Sequence, residues 1–310
     1  VDSINSAGLK ILKTEKESVV GNHYMYLFEK DEELIELITI SELENEIKSE
    51  LGMSLKTVSE DTVVNTSVAP RLDPEGNKQG SVVAMEDISD VSKVKNTFKR
   101  YVSKQVVDEL LGDDGKLNLG GEQRDVTILF TDIRGFTSMS EKMKPERVVT
   151  TLNEYFSDMI DIVFKNNGTL DKIIGDELMV LYGAPISGEN DTHRAVETAI
   201  EMQQKIKELN MDRKKRNEPP ILVGAGINKG LVVSGNIGSR DLMDYTVIGD
   251  TVNVASRLCA AAGPGEIMVS SSVYGATKKD FSYNKLEPIS VKGKAKRVPV
   301  FLISDITQKD

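Results

Sequence analysis

At 310 residues the chain is long enough for two domains of roughly 150 residues each, and its 39% apolar and 28% charged residues suit a globular protein with a real core. Its 49 acidic against 39 basic side chains leave a formal charge of −10, which disfavours broad contact with nucleic acid or anionic membranes, so an anionic ligand needs a locally favourable cradle. One cysteine, Cys259, and two histidines, His23 and His193, exclude an intrachain disulfide and a His-rich zinc site and point to a reducing, cytoplasmic compartment; no apolar run approaches the roughly eighteen residues of a membrane span.

The first residue is Val1, and the opening already reads as folded sequence, which predicts a piece of a longer protein. Residues 7–13 make an amphipathic stretch, and acidic helical segments are expected between Asp31 and Leu51. Val63 to Val68 alternates apolar and polar, Asp73-Pro-Glu-Gly-Asn77 is turn chemistry, and Gly80 to Met85 resumes the extended pattern, so a hairpin closes a small α+β module over residues 1–90. From Val91 to Leu111 there is no Gly or Pro, and Val91, Val94, Phe98, Val102, Val106 and Leu110 recur every three or four residues. That is one helix with one apolar stripe, open either to packing on its own domain or to a short parallel coiled coil between two chains. Gly112-Asp-Asp-Gly-Lys116 and Gly120-Gly-Glu122 break it, so residues 91–119 form a helical linker and a second domain spans 120–310.

That domain reads β, α, β-hairpin, α, β, α, β. Val126 to Phe130 is a buried-strand run; Pro145 opens a helix with Val148, Leu152, Phe156, Met159 and Val163 on one face; Asn166-Asn-Gly168 stops it. Leu170–Ile174 and Glu177–Tyr182 are strands joined through Gly175-Asp176, Asp191 caps the next helix, and Ile221–Ile227 is a further strand. The order predicts an α+β fold whose helices cover one face of a mostly antiparallel sheet.

Two acids lie where strands end. Asp132 follows Phe130 and Asp176 occupies the hairpin tip, and carboxylates are the hard oxygen ligands that Mg²⁺ takes together with substrate phosphates. After Asp132, Ile133-Arg-Gly-Phe-Thr137 is a glycine turn leading into a helical region, whose backbone N–H groups can cradle phosphate oxygens. Further on, Asp250 or Thr251 can cap a helix on which Asn253 and Arg257 stand four apart, hence on one face; an amide and a guanidinium there can grip a sugar oxygen and a phosphoryl oxygen.

Phe130-Thr-Asp-Ile-Arg-Gly-Phe-Thr137, Leu170-Asp-Lys-Ile-Ile-Gly-Asp176, Tyr245-Thr-Val-Ile-Gly-Asp-Thr-Val-Asn-Val-Ala-Ser-Arg257 and Val291-Lys-Gly293, in that order, resemble the class III nucleotidyl cyclase catalytic domain over about residues 120 to 303. The resemblance implies a ferredoxin-like catalytic fold and two Mg²⁺ or Mn²⁺ ions held by Asp132, Asp176 and the carbonyl of Ile133. In such enzymes one metal activates the ribose 3′-hydroxyl and the other holds the triphosphate, the hydroxyl attacks the α-phosphorus in line, and pyrophosphate leaves. It further implies that Asn253 orients the ribose, Arg257 stabilises charge on the α-phosphoryl, and Arg134, Gly135, Phe136, Thr137 and Lys292 bind phosphates. Such sites are built from two catalytic domains, so a homodimer is implied.

Base choice falls on Lys172 and Thr246. By resemblance, ATP cyclases carry Lys and usually Asp there and GTP cyclases Glu and Cys. Lys172 suits adenine N1, whereas the Thr246 hydroxyl can accept from an adenine amino group or donate to a guanine oxygen. Thr at this place resembles the class IIIb branch, which implies adenylyl cyclase activity and bicarbonate as a possible activator. In the first domain, Ile4 to Leu12, Val19-Val-Gly-Asn-His-Tyr24 and the hairpin ending at Glu86-Asp-Ile88 resemble the later part of a PAS domain, which implies a small-ligand sensor or dimerisation module lacking its first strand. No Cys lies there for flavin-thiol photochemistry, and His23 reads as an ordinary residue before a haem ligand.

Three functions follow: an adenylyl cyclase, the same chemistry on GTP, or a silent cyclase-like dimeric module. The silent reading goes with a lost metal Asp, Asn or Arg, and none is lost. Gly224-Ala-Gly-Ile-Asn-Lys-Gly230 has the wrong spacing for a dinucleotide fingerprint and continues into Leu231-Val-Val233, so a Rossmann site is rejected. Arg213-Lys-Lys-Arg216 reads as a solvated loop, and Cys259 as a small core residue.

Overall fold

A computed structural model describes residues 1–98, 106, 120–239, 242–290 and 297–304. Lys292 and the Val291-Lys-Gly293 motif lie outside that set. The chain divides into two compact units, residues 1–102 and 103–310.

In the first unit, short helices α1 (Ser6–Leu12), α2 (Lys16–Val19) and α3 (Tyr24–Leu27) precede α4 (Glu32–Glu44) and an antiparallel sheet ordered β1 (Lys48–Ser54), β2 (Val63–Leu72), β3 (Lys78–Asp87). The β2–β3 hairpin turns where the sequence predicts, with the Asp73 carboxylate accepting the amide of Asn77 at 2.7 Å. Acidic helix was expected as far as Leu51, yet residues 48–54 form a strand. Leu51 and Met53 alternate with polar or small residues, but the pairing with β2 shifts register between Glu50 and Met53 and only Met53 of the strand is buried. Leu34, Ile38, Met53, Leu55, Val64 and Val68 form the core of this unit. His23 is exposed and caps α3, its Nδ1 accepting the amide of Met25 at 3.3 Å. Helix α5 (Ser89–Phe98) begins the striped segment; Val91 and Val94 are exposed and Val106 is buried, while the side chains of Phe98, Val102 and Leu110 lie outside the described set.

The second unit opens with β4 (Gly120–Ile133), followed by α6 (Phe136–Ser140), α7 (Pro145–Lys165), β5 (Thr169–Ile174), β6 (Glu177–Tyr182), α8 (Asp191–Lys215) and β7 (Val223–Gly238). These strands run β7-β4-β6-β5, the split β-α-β order of a ferredoxin-like core. Then come β8 (Met243–Ile248), which pairs with β7, α9 (Asp250–Ala261), β9 (Ile267–Ser270), α10 (Ser271–Thr277), β10 (Tyr283–Lys285) and β11 (Val300–Ile303); β7 and β9 are parallel, and the other pairings are antiparallel.

Helices cover both faces of this sheet, which corrects the one-face expectation. Leu129 and Ile133 of β4 join a core with Tyr155, Met159 and Val163 of α7 and Ala199 and Met202 of α8. Val126, Ile128 and Phe130, on the opposite face, pack with Ala255 and Cys259 of α9. Burial on both sides is why β4 reads as an unbroken apolar run.

The rejected glycine motif has a packing explanation. Residues 224, 226, 228 and 230 point to one face of β7, and α9 lies along it: a Cβ on Gly226 would sit 2.0 Å from the amide nitrogen of Cys259, a Cβ on Gly230 2.9 Å from Thr251 Oγ1, and Asn228 Nδ2 donates to the Thr251 carbonyl at 2.9 Å. The strand runs straight through Leu231-Val-Val233, so no helix follows the glycines. The basic run is also corrected. Arg213 to Lys215 form the last turn of α8, where positive charge suits the helix dipole, and Arg213 is buried with its Nη1 3.2 Å from Glu218. Asn190, not Asp191, occupies the N-cap of that helix.

Candidate active site

Strand pairing delivers the two acids. Asp132 sits one residue from the end of β4, between β6 and β7, and the β5–β6 hairpin pairs Ile174 with Glu177 across a two-residue turn that puts Asp176 at the tip. Gly175 takes the left-handed conformation the turn needs, at φ 65°. The carboxyl of Asp176 meets that of Asp132; burial first, and then Asp132, push Asp176 up to about 6. Glu177, which the motif reading passed over, is pushed to about 7 by burial and by both acids. The signal available for it was only its place next to the hairpin tip.

The carboxyls of Asp132, Asp176 and Glu177 crowd together here against the Arg134 guanidinium, and Asp176 Oδ2 is buried with no hydrogen-bond partner among the described residues. Both observations fit a divalent cation. Carboxylate oxygens are the hard donors that Mg²⁺ takes, one or two at a time, together with substrate phosphates.

Arg134 departs from the expected phosphate cradle. Its amide donates to the Leu222 carbonyl at 2.7 Å, and its guanidinium pairs with the Asp132 carboxylate while Nη1 donates to the carbonyls of Cys259 at 3.3 Å and Ala262 at 3.4 Å. It therefore ties Asp132 to the carbonyl end of α9, where a cation is favoured. The candidate cradle narrows to Gly135, at φ 69°, and the amides of Phe136 and Thr137 that open α6.

Gly249 precedes α9, so neither Asp250 nor Thr251 caps it; the Thr251 hydroxyl instead donates to the Leu231 carbonyl at 2.8 Å. Asn253 is exposed and Arg257 half-buried, four residues apart on the helix. Among the described residues no hydrogen bond or ion pair joins either of them to Asp132 or Asp176. Cys259 is buried core, its thiol pushed up to about 12 by burial and donating to the Gly224 carbonyl at 3.4 Å.

Lys172 and Thr246 do meet. Lys172 Nζ lies 2.6 Å from Asp244 Oδ2 and 3.4 Å from Asp171 Oδ2, and the Thr246 hydroxyl donates to that same Asp171 oxygen at 3.0 Å. The Asp171 side chain has no exposed surface, and burial pushes it up to about 6. Neither Asp171 nor Asp244 was given a role from the sequence, although Asp171 lies inside one quoted motif and Asp244 directly precedes another.

The second unit thus gathers acids at its strand ends and, in a separate cluster, the side chains of Lys172, Thr246, Asp171 and Asp244. Residues 121–304 match the adenylate and guanylate cyclase catalytic domain, and the chain belongs to that family of nucleotidyl cyclases. It is 34% identical over 223 residues to an adenylate cyclase of Anabaena cylindrica, covering 68% of this chain and 43% of the relative. Adenylate cyclase 1 of Rhizobium meliloti is 28% identical over 214 residues, covering 68% of this chain and 32% of that protein. The chain thus spans less than half the length of these curated relatives. Among solved structures, the adenylyl cyclase CyaB of P. aeruginosa superposes with TM-score 0.60 at 35% identity, covering 62% of this chain and 99% of that one. The guanylyl cyclase Cya2 gives 0.59 at 38% identity, covering 61% and 96%. No helix among the described residues is long and apolar enough to cross a membrane.

Proposed function

We propose that the chain is an adenylyl cyclase that converts ATP to 3′,5′-cyclic AMP and pyrophosphate at sites shared by two copies of residues 120–310. The meeting of Lys172 and Thr246 on Asp171 carries this reading: residues from β5 and β8, distant in sequence, form one polar spot suited to an adenine edge. Lys172 spends two of its three N–H donors on Asp171 and Asp244, and the third is available to adenine N1.

Asp132, Asp176 and the Ile133 carbonyl would hold two divalent cations. Bound there, these cations supply Lewis-acid charge to the 3′-hydroxyl and the triphosphate. The amides of residues 135–137 and Lys292 hold phosphate oxygens, Asn253 orients the ribose, and Arg257 faces the charge that grows on the α-phosphoryl group. Asn253 and Arg257 of one copy act on a nucleotide whose phosphates face the acids of a second copy. An apolar patch supports that association: Val233 pairs directly with Ile248, Leu231 is its neighbour on the same face, and all three are exposed. The helix-and-sheet unit at residues 1–90 is read as a PAS-like regulator, joined through residues 91–119, with bicarbonate as a candidate activator of the catalytic unit.

Incubation with ATP or GTP and Mg²⁺ or Mn²⁺, with chromatographic identification of products, tests the reading. Cyclic AMP formed faster than cyclic GMP is the expected result. The reverse order identifies a guanylyl cyclase, and no cyclic product identifies a silent module; either result overturns the proposal.

A further inference from the structure

Thr246 is ambivalent as a base reader, because a free hydroxyl can turn to accept from an amino group or to donate to an oxo group. In this chain it is not free. Its one hydrogen lies on Asp171 Oδ2 at 3.0 Å, and an ionised carboxylate oxygen can only accept. The outward side of Thr246 Oγ1 then offers lone pairs alone. Asp171 is held in place for this by its burial and by the Lys172 ammonium at 3.4 Å. Lys172 has a second and shorter tie, to Asp244 at 2.6 Å, so its position does not rest on Asp171 alone.

We infer that Asp171 is a specificity-determining positioning residue, which locks Thr246 as an acceptor and so selects a purine with an amino group at C6 over one with an oxo group there. This rests on the adenylyl cyclase reading and adds to it the source of the discrimination. An oxo purine would bring an acceptor against an acceptor, and a polar site left unpaired in this way discriminates more strongly than a change of shape.

The test uses the full chain with ATP and with inosine triphosphate, which shares the bare C2 of adenine but carries an oxo group at C6. Relative kcat/KM is measured for wild type, Asp171→Leu, Thr246→Val and the double variant. Asp171→Leu frees the hydroxyl to turn, and the ATP preference is expected to shrink about tenfold, the scale of one mispaired buried hydrogen bond. In the Thr246→Val background, Asp171→Leu should not change the ratio further. A general loss of structure lowers turnover of both nucleotides alike and leaves the ratio where it was. An unchanged ratio in folded Asp171→Leu, or an equal change without the Thr246 hydroxyl, overturns the inference and leaves the adenylyl reading intact; a wild type that prefers inosine and guanosine triphosphates overturns that reading instead. Should Asp171→Leu not fold, Thr246→Val decides: a loss of about tenfold confined to ATP is expected, and a larger loss on inosine triphosphate refutes the polarity.

Discussion

Replacing Gly226 by Ala adds one methyl group between β7 and α9. The new Cβ would lie 2.0 Å from the Cys259 nitrogen, 2.6 Å from the Ala255 carbonyl oxygen and 2.7 Å from the Cys259 Cα, where 3.4 Å begins ordinary contact. All three obstacles are helix backbone, so no rotamer change relieves them, and α9 has to retreat by about 1 Å. Overpacking of this kind costs about 1–3 kcal/mol, and rigid obstacles put this site at the upper end. For a unit of this size that lowers Tm by on the order of 5–10 °C. The same retreat moves Asn253 and Arg257 and pulls on the Arg134 contacts that tie α9 to Asp132, so turnover should fall by about a hundredfold. Thermal melting followed by circular dichroism, alongside cyclase assays, measures both. Gly275→Ala in α10 is the control, since its added Cβ meets nothing within 4 Å and helical Ala is favoured over Gly. A Gly226→Ala protein with unchanged Tm and turnover would refute the close docking of α9 on β7.

Two further outcomes follow from the site. Asp132→Ala and Arg257→Ala chains should each lose activity, Arg257→Ala by roughly a hundredfold or more, and a mixture of the two should regain it because one composite site per mixed dimer is intact; mixed dimers that stay inactive would refute the shared site. Asp171 has its carboxyl raised from 3.8 to about 6 by burial, so the folded chain holds a proton there that the unfolded chain has released; the associated stability is present below pH 4 and is lost as pH rises through about 6. Denaturant melts at pH 4 and pH 7 should therefore show wild type losing on the order of 3 kcal/mol relative to Asp171→Asn, and a pH-independent difference would show that burial does not govern this group.

Much of the second unit is legible locally. The hairpin tip at Gly175-Asp176, the helix opened by Pro145 and the buried run of β4 each follow from neighbouring residues, and each is found as expected. Strand β1 was hard to read because its apolar alternation is short, Leu51-Gly-Met53, and follows an acidic helical stretch; pairing with β2 makes it a strand. The glycines of β7 carried a signal of period two for a helix lying on the strand, a pattern that resembles a phosphate loop until the strand is seen to continue.

By itself, the sequence determined which chemical groups were on offer: two acids at strand ends, an amide and a guanidinium one helical turn apart, and a lysine and a hydroxyl able to face a base. Folding decided which of them meet. Arg134 reads as a phosphate ligand until α9 places the carbonyls of Cys259 and Ala262 within its reach. Asp171 reads as one acid among 49 until Thr246, 75 residues away, donates to it. Such meetings depend on sheet register and helix docking, which sum weak preferences over the whole chain, and no local window of residues contains that sum.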